Sequence, residues 1–474
     1  AGIENAEIKT VFTSKKFIQK LTSRNIDVEA MLKNVNVVYL EELKTQISKV
    51  SFVSVLLATY VLPVKVFHFV FGKKVSLNDN AAILFSSGSE GTPKGVMLSH
   101  RNFIANIKQI SDVLRTREDE VVMGSLPPFH SFGLTVTTLL PLIEGVPVVC
   151  HPDPTDVVNI SKAVSKYKVT LLCATATFLR LYTRNKKVQP LMLESLRTVV
   201  AGAEKLPAVV RSEFKAKFNT DIYEGYGATE TTPVASVNIP DQLDPNDWRV
   251  QQGNKPGTVG MPLPGCAFRI VDPISLESLP AGESGLILIS GNQVMSGYLK
   301  DEVKTKEVIV ELDGRRWYKT GDKGYLDSDG FLSIVDRYSR FAKVGGEMVS
   351  LTSVEQAVNT SLAALNLNGI GETSSDEVSS NDTSTDANEA VEILAVNLPD
   401  AKKGERIVLL STIEIDLKSL KDMLISQEVN ALMFPSCIYQ VDELPKLGSG
   451  KSDFAGAKKL ALELALATEI RFKE

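Results

Sequence analysis

Ala81-Ala82-Ile83-Leu84-Phe85-Ser86-Ser87-Gly88-Ser89-Glu90-Gly91-Thr92-Pro93-Lys94-Gly95 sets a short apolar run against a Gly/Ser-rich turn that ends on a lysine. The run Ala81–Phe85 has the length and composition of a buried strand, so the Gly/Ser segment after it is a turn leaving a strand end. Closely spaced glycines let backbone N–H groups approach an anion, and Ser86, Ser87 and Ser89 add hydroxyl donors. Lys94 supplies the positive charge that β- and γ-phosphates call for. The spacing is not that of a Walker A loop, because no Gly-Lys-Ser/Thr follows four residues after a glycine. A Gly/Ser-rich turn alone fits a plain surface loop equally well; the Pro93-Lys94-Gly95 ending makes the pattern specific.

Outward from this stretch the texture repeats. Apolar runs at Val121–Ser125, Val146–Cys150, Val169–Cys173 and Thr198–Ala201 alternate with helical patterns such as Val157–Lys166 and Ala208–Phe218. With Ala81–Phe85 they predict βα units and buried, largely parallel sheets. Nearer the start, Ile8–Thr13, Ser14 and the run from Lys15 read as strand, N-cap and helix. From about Gly257 the strands are Gly/Pro-punctuated (Phe268–Val271, Gly285–Ser290, Phe331–Ile334), which predicts a β-rich subdomain. After Asp336-Arg337 comes a helix over Ser353–Leu365, then strands at Glu392–Leu398 and Ile407–Glu414 and helices at Leu417–Ser426 and Ala455–Ala467. The expected fold is therefore an α/β large domain over residues 1–336 and a small α+β domain over 337–474. Between these elements, residues 369–390 carry six acids and no Lys or Arg. That composition cannot support a packed core and reads as a flexible surface loop.

Composition narrows the function. The 474 residues are too many for one compact core, and 43% hydrophobic with 23% charged residues is ordinary for a soluble enzyme. A net charge of -5 argues against a nucleic-acid partner. Cys150, Cys173, Cys266 and Cys437 lie far apart, which gives no zinc site or disulfide framework and fits a reducing, cytoplasmic setting. No signal peptide follows Ala1, and the absence of an initial Met reads as a piece of something longer. The stretch Phe52–Phe71 is strongly apolar and about 20 residues long, the length of a bilayer crossing. Pro63, Lys65 and His68 interrupt it, so three readings stand: a helix and strand packed in the protein, a surface element dipping into a membrane interface, or a transmembrane helix.

With the later motifs in view, the chain resembles the adenylate-forming superfamily of acyl-CoA synthetases, peptide-synthetase adenylation domains and luciferases. Ser86–Gly95 resembles its phosphate-binding signature, and Leu126-Pro127-Pro128-Phe129-His130-Ser131-Phe132-Gly133 the motif lining the acyl pocket. Ala201-Gly202-Ala203-Glu204 resembles the adenine-side loop, and Tyr223-Glu224-Gly225-Tyr226-Gly227-Ala228-Thr229-Glu230 the aromatic-and-acid motif. Tyr318-Lys319-Thr320-Gly321-Asp322 resembles the ribose motif, Asp336-Arg337 the hinge, and Leu444-Pro445-Lys446-Leu447-Gly448-Ser449-Gly450-Lys451 the C-terminal lysine motif.

The resemblance implies attack of a carboxylate oxygen on the α-phosphate of ATP, pyrophosphate leaving. It makes Thr229, Glu230 and Lys451 catalytic: Glu230 holds Mg²⁺, Thr229 contacts the α-phosphate, and Lys451 bridges substrate carboxylate and α-phosphate. The nucleotide would be held by Ser86, Ser87, Gly88, Ser89, Gly91, Lys94, Gly202, Ala203, Glu204, Tyr226, Gly227, Asp322 and Arg337. Tyr226 would stack on adenine, Asp322 accept both ribose hydroxyls, and His130 and Phe132 line the acyl pocket. Taken singly, Asp322 reads equally as a turn residue, Tyr226 as a core aromatic, His130 as a packed histidine and Lys451 as a solvated charge. The order of the motifs is what joins them.

Glu90, the run Leu447–Phe454 and Phe341-Ala342-Lys343-Val344-Gly345-Gly346-Glu347-Met348-Val349-Ser350 resemble one branch, the synthetase half of bacterial acyl-[acyl-carrier-protein] synthetase / 2-acylglycerophosphoethanolamine acyltransferase. That branch implies a long-chain fatty acid, ATP with Mg²⁺, the phosphopantetheine thiol of acyl carrier protein, and a place at the cytoplasmic side of the inner membrane. Alternatives are a long-chain acyl-CoA synthetase using coenzyme A and an inactive homologue that only binds ATP or acyl chains. Two departures stand out: Ser339 replaces the usual acid or lysine two residues after the hinge arginine, and the start of the superfamily's large domain is missing. His151 and Asp156 match an acyltransferase H-x4-D spacing but read as a coincidental loop.

Overall fold

The computed structural model describes residues 2–23, 27–86, 94–114, 119–368, 392–400, 403–446 and 452–471. Its centre is a seven-stranded sheet in the order Met261–Pro262, Val234–Val237, Ile222–Gly227, Thr198–Ala201, Leu171–Ala174, Val122–Gly124, Val148–Cys150. The last five strands of that order run parallel, and Val234–Val237 returns antiparallel to Ile222–Gly227. Side chains alternate across a strand, so one sheet must serve two cores when both faces are covered. Val122, Leu171, Cys173 and Val200 point to one core with the helix His100–Leu114. Met123, Leu172, Ala174, Val199 and Ala201 point to the other, under the helices Val157–Tyr167, Ala176–Arg184 and Ala208–Phe218.

The β-rich part is a five-stranded antiparallel sheet in which Arg315–Leu326 pairs with Gly285–Ser290, Ile309–Leu312 and Leu332–Arg337. The C-terminal unit carries its own sheet: Glu347–Ser350, Phe341–Val344, Gly404–Ser411 and Ile393–Asp400, with Cys437–Gln440 parallel to Gly404–Ser411. Ala395, Ile407 and Leu409 face the helix Leu351–Asn368, while Leu394, Val396, Val408 and Leu410 face the helix Phe454–Arg471. The latter presents Ala457, Ala461 and Ala465 at four-residue spacing, and their small size lets the helix lie close on the sheet.

Two expectations need correction. Ala81–Phe85 does not open a βα unit: Asn80–Ser86 pairs antiparallel with Lys94–Ser99, which pairs in turn with Gly297–Tyr298. The connection is too short for the crossover that a parallel partner requires, so the chain doubles back as a hairpin. The stretch Phe52–Phe71 is not a packed helix and strand. It forms two helices, Lys49–Val61 and Val64–Phe71, divided at Leu62-Pro63, and neither buries a residue. Among the described residues no helix is long and apolar enough to cross a membrane. Near the start, Ser14 is an N-cap as expected, its hydroxyl accepting the Phe17 N–H ahead of the helix Lys15–Thr22. The acidic stretch 369–390 lies outside the described residues.

Candidate functional site

The strand Ile222–Gly227 organises the candidate site because the chain reverses tightly at its end. A Cβ at Gly227 would sit 1.7 Å from the Pro233 carbonyl oxygen, so only glycine allows the return strand to approach. In the turn, Thr231 Oγ1 accepts the Ala228 N–H at 2.9 Å and donates to the Pro233 carbonyl at 2.6 Å. The turn holds Thr229 and Glu230 just beyond the strand end, with Tyr226 immediately before it.

Three neighbouring elements converge there. From the β-rich sheet comes Asp322, buried, its Oδ2 accepting the Tyr226 hydroxyl at 2.5 Å and its Oδ1 facing Arg337 Nε at 3.1 Å. Asp322 and Arg337 are register partners on adjacent strands, which fixes the pair without a long side-chain search. Burial raises the Asp322 carboxyl above its usual range, against the opposing pull of Arg337 and Tyr226. Burial, and then Asp322, push the Tyr226 hydroxyl well above the ordinary phenol, so it stays a donor.

The hairpin sheet contributes Tyr298, whose hydroxyl donates to Glu230 Oε1 at 2.9 Å. Burial, then the Glu230 charge, raise Tyr298 as well. Met295 N–H donates to the Glu230 carbonyl at 2.8 Å, so the residue is held through both backbone and side chain. Lys94 Nζ stands 5.8 Å from the Tyr298 ring centroid, and Lys94 is the register partner of Ser86. The three-stranded sheet therefore brings Ser86, Lys94 and Tyr298 to the side of Glu230. Ser87, Gly88, Ser89 and Gly91, with Glu90, lie outside the described residues.

From the third side, Ser131 Oγ lies 3.4 Å from Thr229 Oγ1. His130 precedes the helix Ser131–Leu134 as its N-cap, with Nδ1 accepting the Phe132 N–H at 3.3 Å. Phe132 is buried, and a Cβ at Gly202 would lie 3.1 Å from its ring, so that glycine admits the aromatic. His130, Phe132, Thr175 and Ala203 line a cavity of about 20 Å³, room for little more than a water. Ala203 takes a left-handed backbone (φ 73°) after the strand Thr198–Ala201. Glu204 reaches the start of the helix Ala176–Arg184, Oε1 accepting the Thr177 N–H at 2.5 Å.

The sequence singles out Thr229, Glu230, Tyr226, Gly227, Asp322, Arg337, Lys94 and Ser86, and these come together around one strand end. Gly202, Ala203, His130 and Phe132 form the adjoining wall. Lys451 lies outside the described residues, while Lys446 and Ser452 form an antiparallel bridge. Sequence reasoning misses Tyr298, and it names Ser131 only within the motif Leu126–Gly133, with no partner for it. Gly297-Tyr298 offers no periodicity or motif of its own, and only its pairing with Val96 and Met97 places it beside Glu230. His151 and Asp156 do approach, at 3.6 Å, but Asp156 is the N-cap of the helix Val157–Tyr167, a loop-and-cap arrangement.

The donor set bears on a metal ion. Among the described residues no group of three or more His, Cys, Asp or Glu gathers. Glu230 thus offers a single buried carboxylate, which suits Mg²⁺ whose other ligands are phosphate oxygens and water.

A family model described as AMP-binding enzyme matches residues 2–299. A probable 4-coumarate–CoA ligase 2 from Dictyostelium discoideum is 37% identical over 281 residues, 58% of this chain and 48% of that protein. A long-chain-fatty-acid–CoA ligase of Salmonella typhimurium is 30% identical over 384 residues, 80% of this chain and 61% of its own length. The chain thus spans between about half and three fifths of these relatives. The ATP-bound MatB of Rhodopseudomonas palustris superposes with a TM-score of 0.72 at 23% identity, over 97% of this chain and 80% of that one. The o-succinylbenzoate coenzyme A synthetase of Bacillus subtilis with ATP and magnesium ion gives 0.69 at 21% identity, over 96% of this chain and 80% of that one. At these identities the likeness is one of fold.

Proposed function

The chain belongs to the AMP-binding enzyme family, and on that premise we propose that it activates a long-chain fatty acid with ATP to an acyl-adenylate and passes the acyl group to a phosphopantetheine thiol. The observation that carries this reading is the convergence of Thr229, Glu230, Tyr226, Asp322 and Arg337 at the end of one strand. No protein nucleophile is needed, because the carboxylate itself attacks the α-phosphate; the protein's work is positioning and charge neutralisation. In this reading Asp322 takes the ribose hydroxyls, a carboxylate having acceptor sites beyond those used by Tyr226 and Arg337. Tyr226 and the Gly202–Glu204 loop flank the adenine, Ser86–Gly95 receives the phosphates, and Thr229 reaches the α-phosphate. Glu230 would hold Mg²⁺, which when bound offsets charge on the phosphates. His130 and Phe132 bound the acyl side, on the small cavity they line. The unit from residue 337 onward acts as the lid that carries Lys451 to the reacting atoms.

The acceptor thiol divides the reading. The residues around Glu90 and Leu447–Phe454 favour acyl carrier protein and, with it, phospholipid reacylation. The names of the curated relatives favour coenzyme A. ATP–pyrophosphate exchange that depends on added fatty acid tests the first half-reaction, and its absence from folded protein sinks the proposal in favour of a binding-only homologue. Thioester formation with holo-acyl carrier protein against coenzyme A then decides the acceptor.

Tyr298 provides a sharper check. Tyr298→Phe keeps the ring under Lys94 but removes the donor to Glu230, a hydrogen bond to a charged group worth about 1.5 kcal/mol. The expected result is a rise of about tenfold in the KM for Mg·ATP with little change in the KM for fatty acid. Equal KM values for the two proteins would mean that Tyr298 does not position Glu230.

A further inference from the structure

The helices Lys49–Val61 and Val64–Phe71 contribute nothing to any core, yet they are strongly apolar helices left facing water. Tyr60 is 83% exposed, Val64 84% and Phe69 88%. A surface helix normally confines its apolar residues to one stripe that faces its own protein. Here Val50, Val53 and Leu57 run along one side of the first helix while Phe52, Leu56 and Tyr60 run along another, and all six are exposed. The rings of Phe67 and Phe71 lie against each other, tilted by 40°, at 4.7 Å between centroids.

Charge identifies what can cover such a surface. From residue 43 through 78 the chain has Lys44, Lys49, Lys65, Lys73 and Lys74, and neither Asp nor Glu. In a chain of net charge -5 this is a local reversal of sign. A second copy docking here would bring two acid-free lysine sets together. A groove on another protein would cover one side of the first helix and leave the other wet. A fluid lipid surface covers every face that sinks below the headgroups, and anionic headgroups meet the lysines. Thirteen residues of helix extend only about 20 Å, short of the roughly 30 Å hydrocarbon core, and the helix is broken at Leu62-Pro63.

We propose that residues 49–71 form a monotopic anchor that lies in the interface of an anionic bilayer, with the two apolar helices in the acyl boundary and Lys49, Lys65, Lys73 and Lys74 at lipid phosphates. Lys65 can do this from within the second helix because its aliphatic stem spans the apolar layer. The anchor stands independently of the ligase reading, since none of its residues belongs to the candidate site.

Sedimentation of the full chain with vesicles of phosphatidylcholine plus phosphatidylglycerol, against phosphatidylcholine alone, tests it. The expected result is partitioning at least about tenfold stronger onto the anionic vesicles, falling as salt rises. The double variant Val64→Asp/Phe69→Asp should lose about tenfold or more, with unchanged circular dichroism and thermal melting. Phe69→Trp should show a blue-shifted emission on adding anionic vesicles. No partitioning by a chain that melts cooperatively overturns the proposal. So does light scattering that shows a dimer which the double variant simply dissociates, because the covering surface is then a second copy. None of these readouts depends on exchange activity, so failure of the anchor and failure of the ligase reading remain distinguishable.

Discussion

Asp322→Asn is expected to raise the KM for ATP by about two orders of magnitude while leaving the fold intact. The substitution keeps the side chain's shape and one acceptor for the Tyr226 hydroxyl, but it removes the charge facing Arg337 and turns a second acceptor into a donor. Hydrogen bonds to an ionised group are worth about 1.5–3 kcal/mol each, and two ribose hydroxyls depend on this carboxylate in the proposed complex. Losing both to a neutral amide costs about 3 kcal/mol of binding, which is the predicted factor. Titration with ATP, read by exchange kinetics at saturating fatty acid, measures it; a KM within a few-fold of the parent rules out the ribose role. The wild-type protein carries a second readout. Because burial raises the Asp322 carboxyl, protonation begins at a higher pH than for an exposed aspartate. The KM for ATP should therefore climb on acidification before ordinary carboxylates titrate, and the asparagine variant should lose that limb.

Lys451→Ala should lower fatty-acid-dependent exchange by a factor of about 10²–10³, with ATP binding little changed. Adenylation brings a carboxylate and a phosphate oxygen together, and a cation between them offsets a repulsion that is strong where water is excluded. A lysine supplies that charge at the end of a flexible stem, which suits a group carried in from another unit. Thioester formation from chemically prepared acyl-adenylate bypasses this step, so the variant should retain it. A variant that loses both half-reactions equally would point to a damaged lid rather than to a missing charge.

Much of the candidate site's geometry is legible in the sequence because its residues sit in tight local patterns. Tyr226-Gly227-Ala228-Thr229-Glu230 is a strand end and its turn, and a turn that demands glycine leaves a readable trace. The strands Thr198–Ala201 and Gly285–Ser290 and the helices Ala208–Phe218 and Leu417–Ser426 fall at the expected positions, since apolar runs of that length have one way to hide. The contacts of Tyr298 with Glu230 and of Ser131 with Thr229 are not legible, because each joins residues distant in sequence and neither residue sits in a pattern that names its partner. The hairpin Asn80–Ser86 with Lys94–Ser99 reads as a βα unit because an apolar run does not state its partner's direction; the short connection does. The segment 52–71 misleads for a different reason. Hydrophobicity predicts burial, but it does not say against what, and here the protein's own core is not the answer.

The tight reversal at Gly227 also bears on how this chain can vary. With the Pro233 carbonyl 1.7 Å from where any Cβ would stand, position 227 is closed to all other residues unless the two strands part. Parting them would change the spacing between Tyr226, at the strand end, and Glu230, within the turn. Drift in this sequence thus cannot easily alter the spacing between Tyr226 and Glu230, the two positions proposed to face the base and the metal ion. Under the proposed roles, descendants of this protein keep the nucleotide for as long as they keep Gly227.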